Sequence, residues 1–326
     1  MLFISGNMSI DKIPNLSICV PTFNRPELLK RALESIVHQD VTKSGAIEII
    51  ISDNSLTCES EKVVNNVLSL YQGKWRYIYN KKNLGMVENW NNAVRHATGK
   101  YILILHDDDF LLSMGLAHIL NTIKLCSDYC QVFLFGVNIV NKDGKIIKKR
   151  SFHKKLHLPP QKALKRLISN SSFVRFPGIV IMQSAFKEVG YFEPEVGAPA
   201  DFDMWIRLFA CYGVICIPIT TSAYTVHQSA ATSKMFDQDT IERVLKVFDK
   251  LEERNILDSR DIELGKSYFF HQFILAGTYR QLRRHDWESA RQVMSLFNHD
   301  SIRMRSSPLK WYFVRKVFGC FCWKIW

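Results

Sequence analysis

Four short apolar runs constrain the fold of this chain more than any other feature. They are Leu16–Val20 (LSICV), Ile47–Ser52 (IEIIIS), Arg76–Tyr79 (RYIY) and Tyr101–Leu105 (YILIL). Each has the length of one buried strand. The stretches between them carry helical spacing. Leu28, Leu29, Ala32, Leu33, Ile36 and Val37 fall on one helical face. Asn24 is expected to cap that helix, with Pro26 and Glu27 in its first turn. Residues 59–72 read as a second helix and Met86–Ala97 as a third, stopped by Gly99. Asn83-Leu84-Gly85 reads as the turn before it. Strands alternating with helices predict an α/β fold with a mostly parallel central sheet and right-handed crossovers.

Such a sheet brings strand ends together. Three of them turn polar: Pro21-Thr22-Phe23-Asn24, Asp53-Asn54-Ser55 and His106-Asp107-Asp108-Asp109. Ligands of open α/β sheets bind outside the carboxyl ends of the strands. Adjacent carboxylates repel one another and are tolerated where a hard divalent cation neutralises them. Such a cation also stabilises a departing diphosphate. A solvated turn capping the next helix is the alternative for an isolated acidic triplet. Neither G-x-x-x-x-G-K-[ST] nor G-x-G-x-x-G is present, so the glycine-rich phosphate loops are excluded.

The net charge of +12 is unevenly placed. Residues 1–110 balance 12 basic against 12 acidic groups, whereas residues 142–175 hold 11 basic and one acidic. Residues 301–326 hold six basic and no acidic groups. Local basic charge attracts phosphates. Asp143-Gly144 predicts a hairpin turn, followed by a mobile, charged excursion. The C-terminal SPLKWYFVRKVFGCFCWKIW is too short and too charged to span a bilayer. It fits an interfacial helix on an anionic membrane surface, with packing on residues 237–300 as the alternative. No helix-turn-helix, RNA-binding or zinc pattern occurs, so nucleic acid is not an expected partner. Eight scattered cysteines form no C-x-x-C pair; Cys19, Cys211 and Cys216 are expected in the core as reduced thiols. No signal-type apolar segment opens the chain, and a cytoplasmic, peripherally membrane-bound location is expected.

Five stretches in order resemble the family-2 inverting glycosyltransferases of GT-A fold: SICVPTFNRPELLKRALESIVHQ, EIIISDNS, NKKNLGMVENWNNAVRHATGKYILILHDDDFL, GYFEPEVGAPADFDMWIRL and YTVHQSAATS. The resemblance implies a Rossmann-like catalytic domain over residues 1–235 and a helical C-terminal region over 236–326. It implies a nucleotide-diphosphate sugar as donor, a glycan or lipid-linked glycan as acceptor, and Mn²⁺ or Mg²⁺ as cofactor. The acidic cluster corresponds to the family's DXD element, with His106 in place of its first acid. Asp108 and Asp109 then hold the metal, completed by His227, and Asp107 faces the diphosphate. Pro21, Thr22 and Asn24 would line the nucleotide pocket, Asp53 would contact the base, and Asn83 and Gly85 form a turn beside it. Asp201 occupies the position of the catalytic base, with Ala200 where the family usually has an acid. A plain helix cap is the alternative for Asp201 and a structural role is expected for Asp203; Met204, Trp205, Leu208 and Phe209 have core spacing. Two other classes compete: a metal-dependent nucleotidyltransferase, which would need a basic glycine-rich loop after the first strand, and a non-catalytic sugar-nucleotide binding protein.

Overall fold

The structure is a computed structural model, and it describes residues 2–6, 13–41, 46–126, 130–170, 172–226, 235–303 and 309–323. In chain order the elements begin β1 (Leu2–Gly6), β2 (Leu16–Thr22), α1 (Pro26–Val37), β3 (Ile47–Asp53), α2 (Glu59–Leu68) and β4 (Lys74–Tyr79). There follow α3 (Met86–His96), β5 (Tyr101–Ile104), β6 (Phe110–Leu111), α4 (Gly115–Cys126), β7 (Val132–Asn141), β8 (Ile146–Arg150) and β9 (Leu156–Leu158). Then come α5 (Pro160–Ile168), β10 (Ile179–Met182), α6 (Gln183–Val189), α7 (Ala200–Tyr212) and β11 (Val214–Val226). The chain closes with α8 (Gln238–Glu253), α9 (Ser259–Leu282), α10 (Trp287–Ser295), α11 (Asp300–Arg303) and α12 (Leu309–Trp323).

The protein divides into two compact units. The first comprises residues 1–159, 174–194 and 211–227, and contains the sheet. Its strands run in the order β1-β4-β3-β2-β5-β10-β7-β11-β6, with β8 beside β7 and β9 beside β11. β4, β3, β2, β5, β7 and β11 share one direction; β10 runs against β5 and β7 between them. This is the α/β class that the alternating runs predict. Every residue of β2 and β3 is buried, as central parallel strands with both faces covered require. Near the start of β3, the buried carboxylate of Glu48 is satisfied by Ser17 Oγ at 2.6 Å and by Thr98 N at 2.8 Å. Apolar residues of α1, α2 and α4 pack on β2, β3, β5 and β7 to form one continuous core.

The second unit comprises residues 160–173, 195–210 and 228–326, and its described residues are largely helical. Phe202, Phe248, Phe269, Phe270 and Phe273 make an aromatic cluster at its centre. No helix among the described residues is long and apolar enough to cross a membrane.

Four expectations need correction. Arg25, not Asn24, occupies the N-cap position of α1; Asn24 instead takes a left-handed conformation with φ 53°. Its side-chain oxygen accepts from the backbone N–H of Leu56 at 3.1 Å, so it joins two strand ends and caps no helix. Asp201 is not a cap either, because α7 already begins at Ala200. Cys211 is exposed near the end of α7, whereas Cys19 and Cys216 are buried. The basic segment is ordered for most of its length. Its β8 pairs with β7, its β9 pairs with β11, and α5 buries Ala163, Leu164, Leu167 and Ile168. Charge alone concealed this, because lysines on exposed strand and helix faces read the same as lysines on a loop. The hairpin turn itself is as expected, with Gly144 at φ 78°.

Candidate active site

The parallel register of the first unit sets the site. Thr22 pairs with Asp53 across β2 and β3, and Cys19 pairs with Ile104 across β2 and β5. The three polar strand ends therefore share one edge. There Thr22 Oγ1 donates to Asp107 Oδ2 at 2.9 Å, and the Phe23 N–H donates to the same oxygen at 3.4 Å. Arg25 Nη1 lies 3.3 Å from Asp107 Oδ1 and 3.2 Å from Asp108 Oδ2. Burial first and the Asp108 charge second raise the Asp107 pKa to about 6, against the opposing pull of Arg25. Asp109 is fully buried, with Oδ1 accepting from Thr225 N at 2.8 Å. Burial and the Asp108 charge push its pKa well above the usual carboxylate range. Arg31 braces the turn from α1, donating to the Asp108 carbonyl and, at 3.1 Å, to Thr225 Oγ1.

His106 lies in an aromatic pocket. It stacks on Trp90 at 5.3 Å and packs on Phe176 at 4.4 Å between ring centroids. Burial lowers its pKa to about 4, so the imidazole is neutral at pH 7. Ligand atoms of His106, Asp108 and Asp109 all lie within 4.8 Å of one another. Two buried atoms in this group, His106 Nε2 and Asp109 Oδ2, have no hydrogen-bond partner among the described residues. Orphaned buried acceptors are costly unless something ligates them. A neutral imidazole with two carboxylates is the donor set of a divalent cation such as Mn²⁺, so these residues fit the metal that the fold implies. The resemblance alone left His106 without a role, and here it joins the acids. His227 lies outside the described residues.

The adjoining edge is held by a polar lattice. Asp53 is completely buried; its carboxylate accepts from Ser55 N at 2.7 Å and from Tyr77 Oη at 2.6 Å. Asp53 therefore presents the turn Asn54-Ser55, and Ser55 Oγ accepts from Asn24 N at 2.8 Å. Asn54 Nδ2 donates to Asn83 Oδ1 at 3.1 Å and to the Gly85 carbonyl at 3.0 Å. Gly85 adopts φ 84° at the start of α3, a conformation that favours glycine. Beneath them Asn80, Asn89 and Asn92 interlock through Ser52 Oγ, and Asn89 Nδ2 donates to the Thr22 carbonyl at 3.1 Å. Pro21 is buried at the penultimate position of β2.

In the second unit, Asp201 sits in the first turn of α7 and accepts from the Phe202 N–H at 2.7 Å. Asp203 is buried and paired with Arg207 at 2.8 Å, which is the structural role expected of it. Met204, Trp205, Leu208 and Phe209 are buried as core.

Sequence reasoning missed Arg25, Arg31, Tyr77, Trp90 and the Asn80–Asn89–Asn92 lattice. One signal was available: Asn89, Asn91 and Asn92 are poor helix formers placed in the middle of a helix, where they need partners.

A parallel strand edge with an acidic, metal-fitting cluster and an adjoining polar turn lattice is the kind of crevice in which open α/β sheets bind their ligands. The sequence pattern of glycosyl transferase family 2 matches residues 17–190, and the chain belongs to that family. It is a glycosyltransferase of GT-A fold. A Campylobacter jejuni GalNAc(5)-diNAcBac-PP-undecaprenol beta-1,3-glucosyltransferase is 28% identical over 233 residues, covering 70% of this chain and 67% of that one. Among solved structures, S. aureus TarS 1-349 in complex with UDP-GlcNAc superposes with a TM-score of 0.63 at 16% identity. That match covers 87% of this chain and 91% of the other, and the chain spans 52% of a longer TarS chain. A mannosyltransferase from Pyrobaculum calidifontis in complex with GDP-Man and Mn²⁺ matches with a TM-score of 0.56 at 15% identity, covering 95% and 81%. At these identities the solved structures speak to fold alone.

Proposed function

We propose that the protein transfers a sugar, with inversion, from a nucleotide-diphosphate donor to a hydroxyl of a lipid-linked glycan. One observation carries this reading. Asp107 is engaged by Thr22 and Arg25, while Asp108, Asp109 and His106 bring their ligand atoms within 4.8 Å beside the Asn54–Asn83–Gly85 turns. Asp108, Asp109 and His106 would hold Mn²⁺ or Mg²⁺, with His227 as the further ligand that the family resemblance implies, and the ion would supply positive charge against the donor's diphosphate. Pro21, Thr22 and Asn24 form the nucleotide wall. Asp53 acts on the base through the turn it organises, and Asn83 and Gly85 complete the pocket.

Asp201 is the base in this reading. As the acceptor oxygen bonds to the anomeric carbon, the bond from that carbon to the diphosphate breaks on the opposite face. The hydroxyl proton passes to the Asp201 carboxylate, and the nucleoside diphosphate leaves. The catalytic domain in this proposal is residues 1–235. The lipid-linked acceptor draws on the printed specificity of the Campylobacter enzyme.

Support for a peripheral membrane contact comes from α12. Leu309, Phe313 and Val317 are exposed at four-residue spacing, on one helical face, in a segment with no acidic residue. The cytoplasmic face of an anionic membrane is the surface proposed for it.

A screen of nucleotide sugars for metal-dependent donor hydrolysis tests the proposal. Donor binding that is insensitive to a chelator would remove the metal from it. Asp201→Asn is expected to retain donor binding and lose transfer; full transfer by that variant would refute the base assignment.

A further inference from the structure

The β7–β8 hairpin takes no part in the site described above, yet strand register puts it beside that site. Thr225 N donates to Asp109; Thr225 pairs with Val140 of β7, and Val140 pairs with Ile146 of β8. Neighbouring strands lie about 4.8 Å apart, so two steps, roughly 10 Å, separate the strand that holds the acid from the outer strand. The level along the strands is fixed as well. Phe133 of β7 pairs with Val180 of β10, and Val180 pairs with Leu103 of β5. β5 ends one residue later, at Ile104, whereas β7 continues to Asn141. The hairpin therefore stands beyond the carboxyl ends of the central strands, on the edge where the acids lie.

Its composition suits one kind of surface. Lys142, Lys145, Lys148 and Lys149 are exposed, and among the described residues none of them makes an ion pair. From residue 129 to residue 187 the only acidic side chain is Asp143, which accepts from Asn141 Nδ2 within the turn. Ile146 and Ile147 lie among the lysines, 47% and 60% exposed. The pairing slips by one residue there: Ile146 faces Val140 and Lys148 faces Ile139, which leaves Ile147 as the extra residue of a β-bulge. Bulges re-aim side chains. Among the described residues β8 pairs only with β7, so it is an outer strand. Lysines by themselves protect such a strand from pairing with another chain. Two exposed isoleucines between them work against that protection and need another explanation. A basic rim around an apolar pair matches the headgroup layer of an anionic bilayer, where ammonium groups meet lipid phosphates and apolar side chains reach the acyl boundary. A soluble phosphate would leave the isoleucines in water.

We propose that the β7–β8 hairpin docks on an anionic phospholipid surface, with Lys142, Lys145, Lys148 and Lys149 on the headgroups and Ile146 and Ile147 entering the layer between them. This contact belongs to the first unit and is separate from α12. The contact itself is independent of the donor; its use, holding the acidic edge next to a lipid-linked acceptor, rests on the function proposed above. The test mixes the full chain with vesicles of phosphatidylglycerol and phosphatidylcholine in equal parts, or of phosphatidylcholine alone. Lysine acetylation, read by mass spectrometry, is expected to fall about fivefold at Lys145, Lys148 and Lys149 on the anionic vesicles only. Lys100, exposed just before β5 at the opposite edge of the sheet, should keep its reactivity. Each lysine contributes about fivefold to partition, so Lys148→Gln with Lys149→Gln should weaken co-sedimentation about 25-fold. Ile147→Ser should weaken it about threefold. All three positions are exposed, so melting temperatures should match the wild type. Unchanged acetylation on anionic vesicles, or wild-type co-sedimentation of the double lysine variant, overturns the docking surface. Wild-type co-sedimentation of Ile147→Ser overturns the apolar insertion. Equal protection by inorganic pyrophosphate at the same phosphate concentration makes the hairpin a soluble-anion site and overturns the membrane assignment. If no nucleotide sugar binds with Mn²⁺ while anionic vesicles still protect the hairpin lysines, the donor reading fails and the docking surface stands.

Discussion

Arg25 neutralises two members of the acidic cluster with its own charge, and a divalent cation held there would compete for the same carboxylates. Its Nη1 lies 3.3 Å from Asp107 and 3.2 Å from Asp108. At an effective dielectric near 20, each contact is worth about 5 kcal/mol in gross Coulomb energy. Desolvation offsets most of this, and Arg25 retains 29% side-chain exposure, so the net loss on removing it is about 2 kcal/mol. Arg25→Gln should therefore lower the melting temperature in EDTA by about 4 °C. The same substitution removes a cation that opposes metal binding. If the whole 2 kcal/mol is recovered on ligation, Mn²⁺ affinity rises about 30-fold. Thermal melts in EDTA and in saturating Mn²⁺, with calorimetric titration of Mn²⁺, measure both effects. The difference between wild type and variant should shrink when the metal is added. A variant that melts with wild type in EDTA and binds Mn²⁺ more weakly would refute the reasoning, because Arg25 would then assist the metal.

Further expectations follow from single contacts. Tyr77→Phe leaves the buried Asp53 Oδ2 without its 2.6 Å donor and should cost about 2 kcal/mol in urea unfolding; an unchanged midpoint would mean that the Asp53 turn does not depend on it. Gly213→Ala places a Cβ 2.2 Å from the Leu158 carbonyl oxygen at φ +65° and should abolish soluble expression. Gly144→Ala, at φ +78° with nothing within 4 Å, should cost only about 1 kcal/mol, read from melts of the two variants side by side. His271 is buried, its Nδ1 lies 2.7 Å from the Ser267 carbonyl, and burial lowers its pKa. The unfolded chain therefore takes up a proton below about pH 6.5 that the folded protein refuses, so stability falls as pH drops through that value. Urea midpoints at pH 7.5 and 5.5 should fall less in His271→Gln than in wild type. Phe313→Asp with Val317→Asp should release the protein from vesicles containing anionic lipid, read by co-sedimentation; equal binding would place the membrane contact elsewhere.

The strand runs, their order and the acids at their ends could be read without coordinates, because a buried parallel strand needs a nearly continuous apolar segment. Leu16–Val20 and Ile47–Ser52 could hardly be anything else. The identities of the polar residues at those ends also pointed to the edge proposed to take the donor's diphosphate. The partners of those residues could not be read in the same way. Arg25 reaches Asp107 and Asp108 across more than 80 positions, and Thr225 reaches Asp109 across 116. Such pairs depend on strand register and on which neighbour each strand takes, and neither leaves a periodic mark in the sequence. The same holds for Asp53, whose burial beneath Tyr77 comes from β4 lying next to β3. It holds too for His106, which needed Trp90 and Phe176 around it before its lone nitrogen could be set beside the acids. Local composition determined the strands and the chemistry at their tips. Packing between distant segments decided which of those groups are neutralised, which are buried, and which remain to hold a ligand.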